Sequence, residues 1–122
     1  NYAQAVLRAL ELDRVFDGLV ASTDMHALGE WRPKPSRLMF LMTCRRWGSD
    51  PRNTIFIDDS PMNLMAAHAV GITTVWCTGY RRKNGRLSNR SSRAYADFSI
   101  GHIRELARLC FRTQGDSTFS NG

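Results

Sequence analysis

The segment Thr54–Pro61 constrains the fold of this chain more than any other. Its first four residues, Thr-Ile-Phe-Ile, form a short apolar run that is typical of a buried strand in a parallel sheet. Asp58 and Asp59 follow directly, and Ser60 can then cap a helix whose first turn suits Pro61. The two carboxylates are therefore predicted at the carboxyl end of a strand, where open α/β sheets place their ligand sites.

The adjacent carboxylates of Asp58 and Asp59 also predict chemistry. Two neighbouring negative charges repel each other and are costly to desolvate unless a cation or a base compensates them. Mg²⁺ is a natural compensator because it prefers oxygen ligands. The alternative is an acidic helix cap that needs no metal, and this segment alone leaves both interpretations open.

The pattern around this segment alternates helices with strands. Helices are predicted to begin near Tyr2, Ser36, Pro61 and Ile103. Short strands are predicted at 19–21, 54–57, 72–77 and 96–100, and 23–33 is predicted as an irregular connection. The helix after Ser36 is predicted to have an apolar face that includes Leu38, Met39, Leu41 and Met42. The alternation predicts an α/β fold with a parallel sheet and helices on its faces, like the second half of a doubly wound domain.

Composition and cysteine count narrow the class of protein. With 122 residues, 43% hydrophobic and 23% charged, the chain suits one globular domain, and its longest apolar run, Leu38–Met42, is far too short to cross a bilayer. Cys44, Cys77 and Cys110 are an odd number without a C-x-x-C pair, which argues against a disulfide framework or a zinc site. We therefore expect reduced, buried thiols and a cytoplasmic location. The chain does not begin with Met, which indicates either processing or a piece of a longer protein.

The net charge of +6 is concentrated in one stretch. Arg81–Arg93 holds six basic residues and no acidic one, and it also contains Asn84-Gly85. Such a stretch can attract phosphate or nucleic acid. Its turn-forming residues favour a solvated loop, which follows the predicted strand at 72–77.

Two motifs in order give the chain a family resemblance. Lys34-Pro35 opens a helix, and Ile55–Ser60 follows with Asn63 and Gly71 at matching positions. This arrangement resembles the third and fourth motifs of the haloacid dehalogenase (HAD) superfamily, and it is most similar to the pyrimidine 5′-nucleotidase-like phosphatases. The resemblance covers about residues 1–112, which it implies are the carboxyl-terminal part of a Rossmann-like HAD core. Residues 113–122 are expected to form a flexible tail.

The resemblance implies a phosphomonoesterase that works by Mg²⁺-assisted phosphoryl transfer. Lys34 would be catalytic and pair with the phosphate and the nucleophile, whereas Asp58 and Asp59 would hold Mg²⁺. Ser60 and Asn63 would lie near the phosphate of a small phosphorylated substrate, such as a nucleoside monophosphate. No membrane partner is implied.

The chain also departs from the family. The Asp-x-Asp motif that carries the nucleophile and the Ser or Thr motif on the second strand are both absent from residues 1–122. The resemblance therefore implies an amino-terminally truncated core that lacks its first two strands and its cap. In the family sheet those strands lie between the 19–21 strand and the 55–57 strand. We accordingly expect the chain by itself to be inactive, because the nucleophile lies outside it.

The sequence also allows three other interpretations. A receiver domain also combines an acidic pair, a Lys and Mg²⁺, but there the Lys comes last, whereas Lys34 precedes Asp58. A nucleic-acid-binding module could use the basic stretch, yet that stretch lacks interleaved aromatic residues. A non-catalytic remnant or interaction module is compatible with the absent nucleophile.

Overall fold

The computed structural model describes residues 2–21, 24, 26–27, 30–31, 35–79 and 94–108. Its helices are Tyr2–Ala9 (α1), Arg37–Arg46 (α2) and Pro61–His68 (α3). Its strands are His26–Ala27 (β1), Glu30–Trp31 (β2), Ile55–Asp58 (β3), Thr73–Cys77 (β4) and Phe98–Ile100 (β5). Single 3₁₀ turns occupy Pro51–Asn53 and Ile103–Glu105. None of the helices in these ranges is long and apolar enough to cross a membrane.

A parallel sheet of three strands organises the chain. The strand order is β3-β4-β5, and both pairings are parallel. The β3–β4 register runs from Ile55 opposite Thr73 to Asp58 opposite Trp76. The α/β class, the parallel sheet and the flanking helices predicted from the sequence are confirmed. Within the described residues, β3 has a neighbouring strand on one side only.

The sheet buries a cluster of side chains on each face. On one face, Phe56 packs against a cluster from α2, α3 and the start of β4, made of Phe40, Cys44, Ala66, Ala67 and Ile72. On the other face, Ile57 packs against the cluster of Val75, Cys77 and Ile100. Phe56 and Ile57 serve opposite faces because successive side chains of a strand alternate. The two faces together hold β3 in a fixed orientation, and β3 leads to the acidic pair.

The helix α2 begins and ends as its sequence predicts, but its buried face differs. The hydroxyl of Ser36 accepts a hydrogen bond from the Met39 backbone N–H at 3.4 Å, and Gly48 follows the helix with a φ of 63°. Met39, Phe40 and Cys44 are buried, whereas Leu41 and Met42 are exposed. The predicted apolar face is therefore wrong at Leu41 and Met42, which do not face the core. The face of α2 that meets Phe56 decides which apolar side chains are buried, and the Phe40 and Phe56 rings meet edge-on at 4.7 Å.

Two predictions about the amino-terminal third are also wrong. The residues 19–21 are not in a strand, because no described strand pairs with them and an isolated strand has no ladder to satisfy its backbone. The connection predicted as irregular contains β1 and β2, which pair antiparallel. The helix α1 forms as predicted, yet none of its residues is buried.

The cysteines agree with the expectation of reduced thiols where they are described. Cys44 and Cys77 are both buried and free. Cys110 lies outside the described residues.

Candidate functional site

The predicted site begins where β3 ends. Asp58 is the last residue of β3, Asp59 follows it, and α3 starts at Pro61. Because β3 and β4 are parallel, the carboxyl end of β4 lies beside the acidic pair, with Trp76 opposite Asp58. The structure thus places both carboxylates at the carboxyl edge of a parallel sheet, as the sequence pattern predicted.

Asp58 is half-buried and is held from two directions. Its Oδ1 accepts a hydrogen bond from the Ser60 backbone N–H at 2.8 Å and another from Asn63 Nδ2 at 3.1 Å. Ser60 is the N-cap residue of α3, but its side chain makes no capping bond, so the prediction that its hydroxyl caps the helix is wrong. The carboxylate of Asp58 closes the turn instead, because an Asp side chain readily accepts from the backbone N–H two residues on.

Asp59 is exposed, and its side-chain carboxylate and its backbone carbonyl differ in their hydrogen bonds. Within the described part of the chain, its carboxylate accepts no hydrogen bond. Its backbone carbonyl accepts one from the indole Nε1 of Trp76 at 3.3 Å. Trp76 is only 3% exposed and was not identified from the sequence. A Trp in a strand pattern predicts a core residue, and its indole bond depends on the register between β3 and β4.

The carboxyl ends of β4 and β5 are joined just beyond the strands. The backbone N–H and the hydroxyl of Thr78 both donate to the Ile100 carbonyl, at 2.8 and 3.2 Å. A side chain at Gly79 would collide with the Gly101 carbonyl, so this close approach requires glycine. His102 then starts a reciprocal cap with Glu105. These contacts fix the neighbouring strand ends around the acidic pair.

Another hydrogen-bonded carboxylate, that of Asp97, lies toward the amino end of β4 rather than at its carboxyl end. Oδ2 of Asp97 accepts from the Thr74 backbone N–H at 2.7 Å and from the Thr74 hydroxyl at 3.0 Å. Thr74 is fully buried near the amino end of β4. The hydroxyl of Thr74 also donates to the Tyr95 carbonyl at 2.7 Å. These bonds tie the segment before β5 to the sheet, which is a structural role.

The donor chemistry of the acidic pair fits part of a Mg²⁺ site. Carboxylate oxygens are the ligands that this ion prefers, and it usually binds through one or two of them together with waters and substrate phosphate. Among the residues that the structure describes, no group of three or more His, Cys, Asp or Glu side chains could hold a metal. Asp58 and Asp59 could therefore supply two ligands of such a site.

Other residues singled out in the sequence cannot be placed beside the pair. Lys34 lies outside the described residues, and so do residues 80–93, which include the basic stretch. The described part of the predicted site is thus Asp58, Asp59, Ser60 and Asn63. The structure brings Asp58, Ser60 and Asn63 together through two hydrogen bonds.

Comparison with known proteins agrees with this architecture. The fold and the position of the acidic pair define an α/β protein with two adjacent carboxylates at the carboxyl edge of its sheet. The family model of the haloacid dehalogenase-like hydrolases matches residues 1–71, and the chain belongs to that family.

Individual relatives share a substantial part of this chain. A phosphoglycolate phosphatase of Haemophilus influenzae is 34% identical over 81 residues, covering 66% of this chain and 34% of the relative. The structure of an HAD phosphatase from Thermococcus onnurineus matches with a TM-score of 0.68 and 28% identity, over 90% of this chain and 46% of that one. A dehalogenase structure matches with a TM-score of 0.70 and 25% identity, over 88% and 43%. The chain thus spans about a third of the length of that curated relative.

Proposed function

We propose that residues 1–112 form the carboxyl-terminal part of a Mg²⁺-dependent HAD phosphatase that hydrolyses a small phosphorylated metabolite. The observation that carries the proposal is the acidic pair at the carboxyl end of β3, with Asp58 hydrogen-bonded and Asp59 exposed. The family match and the phosphatase relatives support the reaction class.

The chemistry assigned to each residue follows from its charge and position. Asp59 would be a direct ligand of Mg²⁺ through its exposed carboxylate. Asp58 would bind the metal directly or support Asp59, while Asn63 and the Ser60 N–H hold its Oδ1. Lys34 would bring a point charge to the phosphate and the attacking carboxylate. When bound, Mg²⁺ would offset negative charge on the nucleophile and the phosphoryl group.

The substrate is proposed as a phosphomonoester of a small, anionic metabolite. The relatives named phosphoglycolate phosphatase favour phosphoglycolate as the first compound to test. A nucleoside monophosphate is the second candidate, and it is supported by the resemblance of the sequence motifs to pyrimidine 5′-nucleotidases. The two candidates share the phosphomonoester and differ in the group that a cap would recognise.

We further propose that the nucleophile is supplied by a segment outside residues 1–122, which contributes strands beside β3. An apolar groove of about 360 Å³ supports this arrangement, because its lining includes Val20, residues of α2, and Ile55 and Phe56 of β3. Ile55 is 53% exposed, and it belongs to β3, which is an edge strand of the described sheet. This is where the family resemblance puts the first two core strands.

Phosphate release tests the proposed function. The 122-residue chain and the proposed longer polypeptide, which would add the upstream coding sequence, would be assayed with phosphoglycolate and nucleoside monophosphates, in Mg²⁺ and in EDTA. We expect turnover only by the longer polypeptide and only with Mg²⁺, because the chain by itself has no nucleophile in place. Equal turnover in EDTA would disprove the metal role, and turnover by the 122-residue chain would disprove the need for a further segment. A stop codon directly upstream of Asn1 would favour a non-catalytic remnant.

A further inference from the structure

The indole of Trp76 makes an unusual connection for a core side chain. Trp76 lies on β4 and is 3% exposed, so its N–H needs a partner inside the protein. The partner is the backbone carbonyl of Asp59, 3.3 Å away, which belongs to the exposed residue of the acidic pair.

This hydrogen bond links β3 to β4 just beyond the point where their backbone pairing ends. The β3–β4 pairing ends with Asp58 opposite Trp76, so Asp59 lies one residue beyond the last paired position. The side chain of Trp76 reaches across to the Asp59 carbonyl and extends the link between the strands by one residue. It thereby ties the turn from β3 to α3 to β4 beyond the end of the ladder.

The same peptide group is also held at its other end. The Asp59 carbonyl and the Ser60 N–H belong to one planar trans peptide, in which the two groups point in opposite directions. Trp76 donates to the carbonyl, and the N–H donates to Asp58 Oδ1 at 2.8 Å. The orientation of this single peptide plane therefore fixes both the carboxylate of Asp58 and the backbone that carries Asp59.

We propose that Trp76 is a positioning residue for the acidic pair: its indole N–H clamps the Asp59–Ser60 peptide, so that both carboxylates are presented together to a divalent cation. The inference rests on the proposed function for the identity of the cation. The clamp itself is a property of the described residues and can be measured without any turnover.

The first measurement is amide hydrogen exchange in the ¹⁵N-labelled 122-residue chain. Trp76→Phe keeps an aromatic ring but removes the donor, and Trp47→Phe is the matched control, because Trp47 is partly exposed at the end of α2. We expect exchange of the Ser60 amide to rise about fivefold in Trp76→Phe, as for the loss of one hydrogen bond, and to stay unchanged in Trp47→Phe. Unchanged Ser60 exchange in a folded Trp76→Phe chain would overturn the clamp.

The second measurement separates positioning from mere packing. Mn²⁺ would be titrated as an oxygen-preferring probe while paramagnetic broadening of the Asp58, Asp59 and Ser60 amides is followed. We expect the midpoint of broadening to rise about fivefold in Trp76→Phe and not in Trp47→Phe, because only the former loosens the Asp59–Ser60 peptide that orients the two carboxylates. Equal midpoints in Trp76→Phe and the parent would overturn the positioning role.

A variant that keeps the shape of the Trp76 side chain controls for a folding defect in Trp76→Phe. Incorporation of 3-benzothienylalanine in place of Trp76 keeps the bicyclic shape and puts sulfur where the N–H was. It should reproduce both fivefold changes if the hydrogen bond is responsible; parental values would overturn the inference. Phosphate release by the longer polypeptide is assayed separately, so failure of the proposed function is seen in that assay and failure of the clamp in the exchange data.

Discussion

The carboxylates of Asp58 and Asp97 accept backbone hydrogen bonds of nearly equal length, yet they have different roles. Asp58 Oδ1 accepts from the Ser60 N–H at 2.8 Å, and Asp97 Oδ2 accepts from the Thr74 N–H at 2.7 Å. Each also accepts from one side chain, Asn63 in the first region and the Thr74 hydroxyl in the second.

The two regions differ in the reach of their bonds and in what lies next to them. The partners of Asp58 are two and five residues away in the chain, whereas Thr74 is 23 residues from Asp97 and fully buried. Asp58 is followed by a second, exposed carboxylate at the carboxyl edge of the sheet. A hydrogen-bonded carboxylate is therefore not a site by itself. The exposed neighbour at a strand end favours ligand binding, and the long-range bonds to a buried residue favour stability.

The largest expected effect is on kcat, which should fall when Asp59 is changed and stay the same when Asp97 is changed. In the longer polypeptide, Asp59→Asn should lower kcat by about two to three orders of magnitude, the loss typical of one charge-stabilising group, because the amide no longer provides an anionic ligand. The control is Asp97→Asn, which keeps an acceptor oxygen and should retain parental kcat. Steady-state phosphate release measures both. A folded Asp59→Asn variant with near-parental kcat would assign the pair to helix capping alone.

The next effect is on the free energy of unfolding, and here the change at Asp97 should matter more than the change at Asp59. Asp97→Ala should lower the free energy of unfolding of the 122-residue chain by about 1–3 kcal/mol, because it leaves a buried N–H of Thr74 without its acceptor. Asp59→Ala should change it by less than about 0.5 kcal/mol, as is usual for an exposed side chain. Urea unfolding monitored by Trp fluorescence gives both values. The comparison would fail if Asp59→Ala proved the more destabilising change.

The smallest expected effect is a change in the pKa of a third carboxylate, that of Asp50. Asp50 bonds Arg52 at the surface, and the Arg52 side chain, together with its backbone N–H, lowers the pKa of Asp50 below its ordinary value of 3.8. Because the folded pKa is depressed, the contribution of this pair to stability is present above the ordinary value and is lost as the pH falls through the folded one. Arg52→Ala should raise the Asp50 pKa toward 3.8, as followed by NMR titration of its side-chain carboxyl. A pKa that does not move would mean that the backbone N–H alone holds this carboxylate.

Local sequence signals predicted the elements that carry the site. The apolar run before Asp58 predicted β3, and Pro61 predicted the start of α3. These predictions succeeded because a short apolar strand and a helix start are encoded by adjacent residues, although β3 is less buried than its apolar run predicted, with Ile55 exposed. The strand at 19–21 and the burial of Leu41 and Met42 failed, since each depends on which element packs alongside. The roles of Lys34, Asp58 and Asp59 in catalysis remain predictions.

The sequence by itself determined that two carboxylates follow an apolar strand and precede a helix, and therefore that they sit at the carboxyl edge of a parallel sheet. Only the tertiary structure decided which groups hold them. The indole of Trp76 and the carbonyl of Asp59 are 17 residues apart, and Asp97 is 23 residues from Thr74. Both contacts follow from the parallel register of β3, β4 and β5, and that register is set by the packing of the two sheet faces rather than by any neighbouring residues in the chain.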